Sequence, residues 1–428
     1  MNKAMKTTIK TFCGLLAMLA FTACSSNTDE AVNTPQFWHV TLTASMGDAD
    51  TRALSENGNA ITATFTAGDV VKVLKSDGTE LCELTAQSSG ASTTLEGNIS
   101  GTFSVNEELI CRYRSATANY DNQVGTLAGI ATNQDYAEGT LTVSTTSPLT
   151  FTSNSVTLEA KQSITKFTFT DGANPANAIS VKTFGIAATG LVQSIATNAT
   201  ETVGAVTGTL GTASSDVYVA LRNNSSEKQT YSFMVKDNDG NWYRGTKKAD
   251  LANGKNYTAT VTMTKLETLT GSSDVGSIGV IGGLPAIVIN NTTAVALMNA
   301  GALCPEDYGE YYTFENRASG LSNNWYVPSK AELENLKDTY TNTWITQNGV
   351  NGCKFTIGSN TLFLPAAGYY DNEYSNGLSL VTSDGYYWTS TNYDEDEAIY
   401  FDVDITGAAT HGEYKVDGLT VRPFHALQ

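Results

Sequence analysis

The sequence has 428 residues, with 25 Lys and Arg against 43 Asp and Glu and a formal net charge of −18. Its length favours several domains over one, and its acidic balance excludes a nucleic-acid binder that works through charge, because phosphate would be repelled. Only 16% of the residues are charged, whereas 37 Gly and 20 Tyr accompany abundant Thr. This composition is typical of a protein built from strands and turns.

Residues 1–23 have the pattern of a signal peptide. Three lysines precede an apolar stretch at 12–21, which is too short to span a bilayer. The Phe21-Thr22-Ala23 segment before Cys24 resembles the lipobox of bacterial lipoproteins. That resemblance implies cleavage before Cys24, its lipidation, and a tether over residues 24–36 that anchors the chain to the outer membrane. An ordinary secretory signal is the alternative.

Residues 37–146 read as short strands separated by turns. The clearest hairpin joins Asp69–Lys75 to Glu80–Leu84 through Asp77-Gly78, a turn that suits two alternating apolar strands. We find no convincing helical periodicity here. The segment predicts a first β-sandwich.

Residues 147–266 continue in the same style. Apolar and polar residues alternate over Ser163–Thr170, Tyr231–Lys236 and Thr258–Met263. These runs predict a second β-sandwich. The Gly- and Ser-rich residues 267–283 then predict a linker and the start of a further domain.

Residues 284–428 differ in kind, because tryptophan and tyrosine crowd this segment. A helix is predicted directly after Ser329, whose hydroxyl and Glu332 form a capping box. Short strands and tight loops follow. The segment therefore predicts an α+β domain.

The first two predicted domains resemble the fimbrillin family of Bacteroidetes-type pilus lipoproteins. The resemblance rests on Val40–Ser45, Thr51–Ala53, Phe65–Asp69, Asp216–Leu221 and Gly254–Tyr257. It implies two transthyretin-like β-sandwiches in tandem.

The same resemblance implies a processing site. In that family a trypsin-like protease cuts after an Arg near the start of the first sandwich, here between Arg52 and Ala53. The cut removes the first strand, and a strand from another subunit fills the groove. A plain surface-loop arginine is the alternative for Arg52.

The last predicted domain resembles the C-type-lectin-like domain of the Fibrobacter major paralogous type. The matching motifs, in order, are Cys304–Tyr312, Trp325–Ser329, Leu362–Tyr369, Gly385–Ser390 and Gly418–Pro423. The complete expected fold is therefore mainly β, with two transthyretin-like sandwiches followed by a C-type-lectin-like α+β domain.

Four cysteines lie beyond the signal peptide and Cys24, namely Cys82, Cys111, Cys304 and Cys353. An exported protein permits disulfides, and four cysteines allow three connectivities. Cys82 with Cys111 and Cys304 with Cys353 are the pairs that fall within single predicted domains. Buried free thiols are the alternative, since the spacings match no metal pattern.

No catalytic residues, cofactor or metal are expected. The three histidines form no metal motif, and we find no nucleophile elbow, P-loop or dinucleotide fingerprint. The Asp394–Glu397 run is the densest acidic stretch. It offers a calcium loop as one interpretation, but it lacks the EF-hand spacing and is better explained as a solvated loop.

Ligand contacts are expected from the loops of the last domain, because loops on a rigid scaffold collect binding groups. The candidates are Tyr370, Asn372, Tyr374, Tyr393 and Asp394. Trp325, Trp388 and Tyr369 lie inside the framework motifs, so we expect them in the core.

These resemblances together predict a fimbrial tip adhesin rather than an enzyme. The last domain occupies the chain end that a stalk subunit would donate, so this subunit would accept a strand and not supply one. Its partners would be other fimbrial subunits and a carbohydrate or protein surface ligand, and it would lie at the cell surface. A monomeric glycan-binding surface lipoprotein and a structural subunit without a ligand are the alternatives.

Overall fold

A computed structural model describes residues 37–47, 55–57, 60–62, 64–225, 227–372 and 377–427. The predicted signal peptide and tether, Cys24, Arg52, Ala53 and Tyr374 lie outside the described residues. Within the described part of the chain, no helix is both long and apolar enough to cross a membrane.

The structure is mainly β. The first elements are β1 (Phe37–Met46), β2 (Ser55–Asn57), β3 (Ala60–Thr62), β4 (Val70–Leu74), β5 (Glu80–Ala86), β6 (Ser92–Ser100), β7 (Glu108–Tyr113), β8 (Ala118–Asn119), α1 (Leu127–Asn133), β9 (Ala137–Thr146), β10 (Leu149–Phe151) and β11 (Ser155–Ala160). There follow β12 (Ser163–Asp171), β13 (Asn174–Ala178), β14 (Val181–Ala187), β15 (Leu191–Ile195), β16 (Glu201–Val203), β17 (Val206–Ser214), β18 (Asp216–Asn223), β19 (Gln229–Asp237), β20 (Trp242–Ala249) and β21 (Asn256–Lys265). The last are β22 (Ile278–Ile281), β23 (Leu284–Asn290), β24 (Thr293–Ala296), a 3₁₀ turn (Phe314–Asn316), β25 (Trp325–Tyr326), α2 (Lys330–Thr339), β26 (Asn342–Gln347), β27 (Val350–Ile357), β28 (Asn360–Pro365), β29 (Tyr369–Asp371), β30 (Gly377–Ser379), β31 (Gly385–Asn392), β32 (Glu397–Asp404), β33 (Gly407–Tyr414) and β34 (Phe424–Ala426).

The first sheet has the strand order β10-β9-β11-β1-β6-β5-β4-β7. Alternate residues of each strand face one core, as a two-residue period requires. The hairpin predicted around Asp77-Gly78 is confirmed, since β4 and β5 pair antiparallel. Gly78 has φ +89°, and a side chain there would collide with the backbone at Thr197 and Asn198, so the turn needs glycine.

The predicted boundary between residues 146 and 147 is wrong. β10 turns back onto β9, and β11 pairs with both β9 and β1, so both strands belong to the first sheet. The turn at Ser147-Pro148 is a hairpin turn inside that sheet, and its local signal resembles that of a domain boundary. The first sheet therefore ends at Ala160.

The second sheet follows the order β16-β15-β18-β12-β21-β20-β19-β14-β17, with β13 on β12 and β8 on β15. An earlier segment, 118–136, contributes to it: Tyr120, Ile130 and Tyr136 are buried in the core of this sheet. That segment also contains α1, capped by the Thr126 hydroxyl. Seven helical residues are too few to give the periodicity on which sequence prediction relies.

We call residues 37–117 and 137–160 the first module, residues 118–136 and 161–266 the second module, and residues 267–427 the third module. The third module holds four smaller sheets or hairpins around α2. The predicted helix is confirmed, since Ser329 accepts a hydrogen bond from the Glu332 N–H while the Glu332 carboxylate accepts one from the Ser329 N–H.

The predicted linker over 267–283 is packed against the third module. Leu269 is buried, and its N–H donates to the Val280 carbonyl, whose own N–H donates to the Glu267 carbonyl. The segment thus starts the third module. The Gly and Ser content that suggested a linker supplies tight turns here, including Gly282 and Gly283 at positive φ.

Specific contacts hold each of the two junctions between modules. Arg112 of the first module is fully buried, and its Nη1 donates to the carbonyls of Ala196 and Thr197 in the second. Apolar side chains of the second and third modules share one core cluster, which includes Met234, Trp242, Leu266, Ile287 and Leu297. Their burial fixes the third module on the second.

Candidate functional site

Strand β1 lies inside the first sheet rather than at its edge. It pairs antiparallel with β6 from Phe37–Ser100 to Ser45–Ser92, and its last four residues pair parallel with β11. Val40, Leu42 and Ala44 point into the core and are 7%, 2% and 0% exposed. This strand is therefore hydrogen-bonded to two other strands, and its inward side chains fill part of the apolar core.

The predicted ligand residues of the third module lie on two different elements. Tyr370 is on β29, paired with Leu378 of β30, and is 37% exposed. Asn372 follows it, but its side-chain amide donates to the Val416 carbonyl and its N–H to Asp417. Asn372 therefore holds the loop in place. Tyr374, the third candidate in this loop, lies outside the described residues.

Tyr393 and Asp394 lie in the turn between β31 and β32. Tyr393 is 63% exposed, which leaves its ring free to contact another molecule. The Asp394 carboxylate instead accepts hydrogen bonds from the N–H groups of Asp396 (2.9 Å) and Glu397 (2.8 Å), and these bonds lower its pKa. Asp394 thus shapes the turn.

Two of the three aromatic framework residues, Trp325 and Trp388, lie in the core as predicted, whereas Tyr369 is partly buried and packs against the core. Trp388 and Trp325 are 0% and 6% exposed. Tyr369 packs beside Tyr386, and Tyr386 stacks on Tyr400 with ring centroids 4.6 Å apart. These rings build the scaffold that carries the loops.

An acidic cluster that the sequence did not indicate lies on the sheet of β31 and β32. Carboxylate oxygens of Asp384, Asp402 and Asp404 lie within 4.8 Å of one another. Burial, followed by the charges of Asp404 and Asp384, raises the pKa of Asp402 to about 7. Oxygen ligands at this spacing could hold a hard cation. Sequence reasoning missed the cluster because strand pairing, and not a local motif, assembles it.

The four cysteines are free thiols in the structure. Of the two alternatives, disulfides or free thiols, the structure thus has free thiols. Cys82 and Cys111 lie opposite Val73 on the two strands that flank it, so their Cα atoms are two strand spacings apart, or about 10 Å. A disulfide needs less than about 7 Å. Burial raises the pKa of Cys82 and Cys111 to about 12 and that of Cys353 to about 11, and it also raises that of Cys304.

The histidines occupy three separate environments. His39 bonds to Asn98 in the first sheet, His411 packs beside Tyr400, and His425 is buried with Nε2 2.9 Å from the Asn323 carbonyl oxygen. Each ring thus has a local structural partner.

A cleft of about 580 Å³ separates the second module from the third. One wall is the outer face of β19, β20 and β21, and the other is formed by residues 304–306 and the turn at Gln347-Asn348. No local sequence pattern indicates this cleft, because its walls come from segments that are distant in the chain. Its volume is in the range of small-ligand pockets.

Residues 326–424 match a family described as Domain of unknown function (DUF8237). No curated protein matches the chain. Among solved structures, a candidate cell adhesion protein from Bacteroides uniformis is 14% identical, with 53% of this chain and 96% of that one covered and a TM-score of 0.31. A fimbrial assembly protein from Parabacteroides distasonis is 13% identical, with 53% and 91% covered and a TM-score of 0.29.

A third solved structure is the shaft pilin of Lactobacillus rhamnosus GG. It is 14% identical, with 55% of this chain and 100% of that chain covered, and the TM-score is 0.24. The solved structures to which this chain is similar thus include adhesion and pilus proteins, each over about half of its length.

Proposed function

We propose that this protein is the tip adhesin of a fimbrillin-type pilus. In this scheme the chain is exported as an outer-membrane lipoprotein on Cys24, is trimmed between Arg52 and Ala53, and then accepts a strand from another subunit. Its first two modules would be transthyretin-like sandwiches, and its third a C-type-lectin-like head without enzymatic activity.

The environment of β1 carries this proposal. A cut after Arg52 would leave β1 held by non-covalent contacts alone. Its departure would expose the edges of β6 and β11 and the core sites of Val40, Leu42 and Ala44. An incoming strand with apolar residues at alternate positions would satisfy both the backbone groups and the core.

The C-terminal strand supports the tip position. β34 lies between β24 and β25, and Phe424 at its start is fully buried. Donating this strand to a neighbour would break the third module's sheet. A subunit that accepts a strand without giving one ends a filament, and the exposed Tyr370 and Tyr393 of its head would face the ligand.

Trimming and strand exchange can be tested on the purified protein with a synthetic peptide of residues 37–46. We expect a trypsin-like protease to produce a new N-terminus at Ala53, and Arg52→Ala to prevent it. The trimmed protein should then bind the peptide, whereas a peptide carrying Leu42→Asp should not bind, because it would bury a charge.

Failure of the trimmed protein to release β1 or to bind the peptide would contradict strand exchange. Position is tested separately by electron microscopy with an antibody to the third module. Label at filament ends is the expected result. Label along the filaments would indicate a stalk subunit, and label on the membrane alone would indicate the monomeric lipoprotein.

A further inference from the structure

The cleft between the second and third modules has a wall of hydroxyl groups on one side. Its strands β19, β20 and β21 present their outward faces, because their other faces fill the core of the second module. The polar side chains on this wall are those of Ser232, Arg244, Thr246, Thr262 and Thr264. Hydroxyls that both donate and accept suit a ligand that does the same.

The opposite wall holds two amide side chains in fixed positions. Glu306 is 4% exposed, and its Oε1 accepts hydrogen bonds from Gln347 Nε2 at 2.9 Å and Asn348 Nδ2 at 2.6 Å. Asn348 Nδ2 also lies 3.2 Å from Ser232 Oγ, which ties the two walls together. The amide groups are therefore oriented before any ligand arrives, which lowers the entropy lost on binding.

Arg244 is the unusual member of the cleft. The structure describes six arginines, and Arg112, Arg114, Arg222, Arg317 and Arg422 each donate hydrogen bonds to protein groups. Arg244 lines the cleft on an exposed strand position, and among the described residues it has no hydrogen-bond or ion-pair partner. An unpaired guanidinium in a chain of net charge −18 offers a planar pair of donors to an anion.

Glu306 is not the anion that pairs with Arg244. Its Oε1 is occupied by the two amides, and Arg244 and Glu306 form no ion pair. Apart from the Glu306 carboxylate, which the two amides hold, the cleft thus presents one free cation beside neutral groups that hydrogen-bond in both directions. That combination matches a ligand with a single carboxylate and several hydroxyls.

We propose that this cleft binds an acidic saccharide unit, with Arg244 on the sugar carboxylate and the amides and threonine hydroxyls on the sugar hydroxyls. Its volume of about 580 Å³ suits one or two sugar rings. A sialic acid and a uronic acid share this chemistry. The inference deepens the proposed adhesin function by naming a ligand class and a site other than the tyrosine loops.

The test is direct binding to the untrimmed full-length chain, so that its outcome does not depend on pilus assembly. The probes are 3′-sialyllactose, a digalacturonic acid, and lactose as the neutral comparison, measured by calorimetry. We expect one of the acidic sugars to bind and lactose to bind at least about tenfold more weakly, because the charge-assisted hydrogen bonds to Arg244 are lost.

Substitutions inside and outside the cleft test where the sugar binds. Arg244→Gln should weaken acidic-sugar binding at least about tenfold, and Arg244→Lys should weaken it less, since it keeps the charge and loses the planar fork. Lys248→Gln on the same strand removes an equal charge outside the cleft and should bind as the wild type does. Thermal melting of each variant checks that it is folded.

Three outcomes would overturn the inference. One is equal binding of lactose and the acidic sugars, and another is unchanged binding by Arg244→Gln. The third is the absence of binding to all three probes. Loss of binding in Tyr370→Ala but not in Arg244→Gln would place the ligand on the third-module loops, which refutes the cleft while leaving the adhesin function intact.

Discussion

Replacing Arg112 by alanine should weaken the junction between the first and second modules. The Arg112 side chain is fully buried. Its Nε donates to Glu138 Oε1 at 2.8 Å, and its Nη1 donates to the carbonyls of Ala116 at 2.6 Å and Thr197 at 2.7 Å. The Thr197 carbonyl belongs to the second module, so Arg112 bridges the two modules, together with Arg114 on the Ala131 carbonyl and with Tyr136 and Lys161 on Glu138.

The expected loss in the free energy of unfolding depends on how well the Glu138 carboxylate stays paired in the variant. Removing one partner of a buried ion pair costs about 3–5 kcal/mol. Glu138 keeps the Tyr136 hydroxyl at 2.6 Å and Lys161 at 3.3 Å, so its charge stays partly compensated. We therefore expect the low end of that range, a loss of about 3 kcal/mol in the free energy of unfolding.

Denaturant unfolding followed by tryptophan fluorescence measures this loss. Trp38 packs edge-to-face on Phe103 in the first module, and the other four tryptophans lie in the second and third modules, so the summed signal reports the unfolding of all three modules. Arg112→Lys should recover only part of the stability, because an ammonium cannot reach three acceptors in the guanidinium plane. Lys248→Ala, which alters an exposed charge, is the matched control.

The refuting result is an Arg112→Ala variant that unfolds within about 0.5 kcal/mol of the wild type, the usual effect of a surface substitution. That outcome would mean that the packing of the two modules, and not this side chain, holds the junction. Limited proteolysis gives an independent view, since a loosened junction should expose the loop at Thr197 to cleavage.

Two further predictions concern the third module. The pKa of Asp402 is raised to about 7, first by burial and then by Asp404 and Asp384, so the folded state binds this proton more tightly than the unfolded state. Stability should therefore fall as the pH rises from about 4 to about 7, and Asp402→Asn should flatten that dependence in melting experiments; equal slopes for both proteins would contradict the assignment. Ser329→Ala removes the hydroxyl that accepts from the Glu332 N–H and should cost about 1 kcal/mol in denaturant unfolding. No change in that measurement would mean that the cap is dispensable.

Sequence reasoning succeeded where the signal is local. The Asp77-Gly78 turn and the Ser329 capping box each depend on a few adjacent residues, and both are present as predicted. Sequence reasoning failed where one local pattern occurs both at domain boundaries and at hairpin turns. The turn at Pro148 has the composition of a boundary, yet it joins two strands of one sheet.

The cleft and the acidic cluster, which sequence reasoning missed, depend on contacts between distant segments. The cleft brings Arg244 to face Glu306 and Asn348, and the acidic cluster joins Asp384 to Asp402 through strand pairing. Neither leaves a periodicity or a spacing in the sequence. By contrast, the exposure of Tyr393 in a turn could be predicted, because an aromatic residue among turn residues is visible locally; its role in ligand binding stays a prediction.

The position of β34 also bears on when the third module can fold. Phe424–Ala426 pairs with Thr293–Val295 on one side and with Trp325–Tyr326 on the other. As the chain is synthesised, the strands on both sides emerge long before the strand that must lie between them. The module therefore cannot complete this sheet until residues 424–426 are available. We therefore expect the pairing edges of Thr293–Val295 and Trp325–Tyr326 to stay unsatisfied until residues 424–426 have been synthesised.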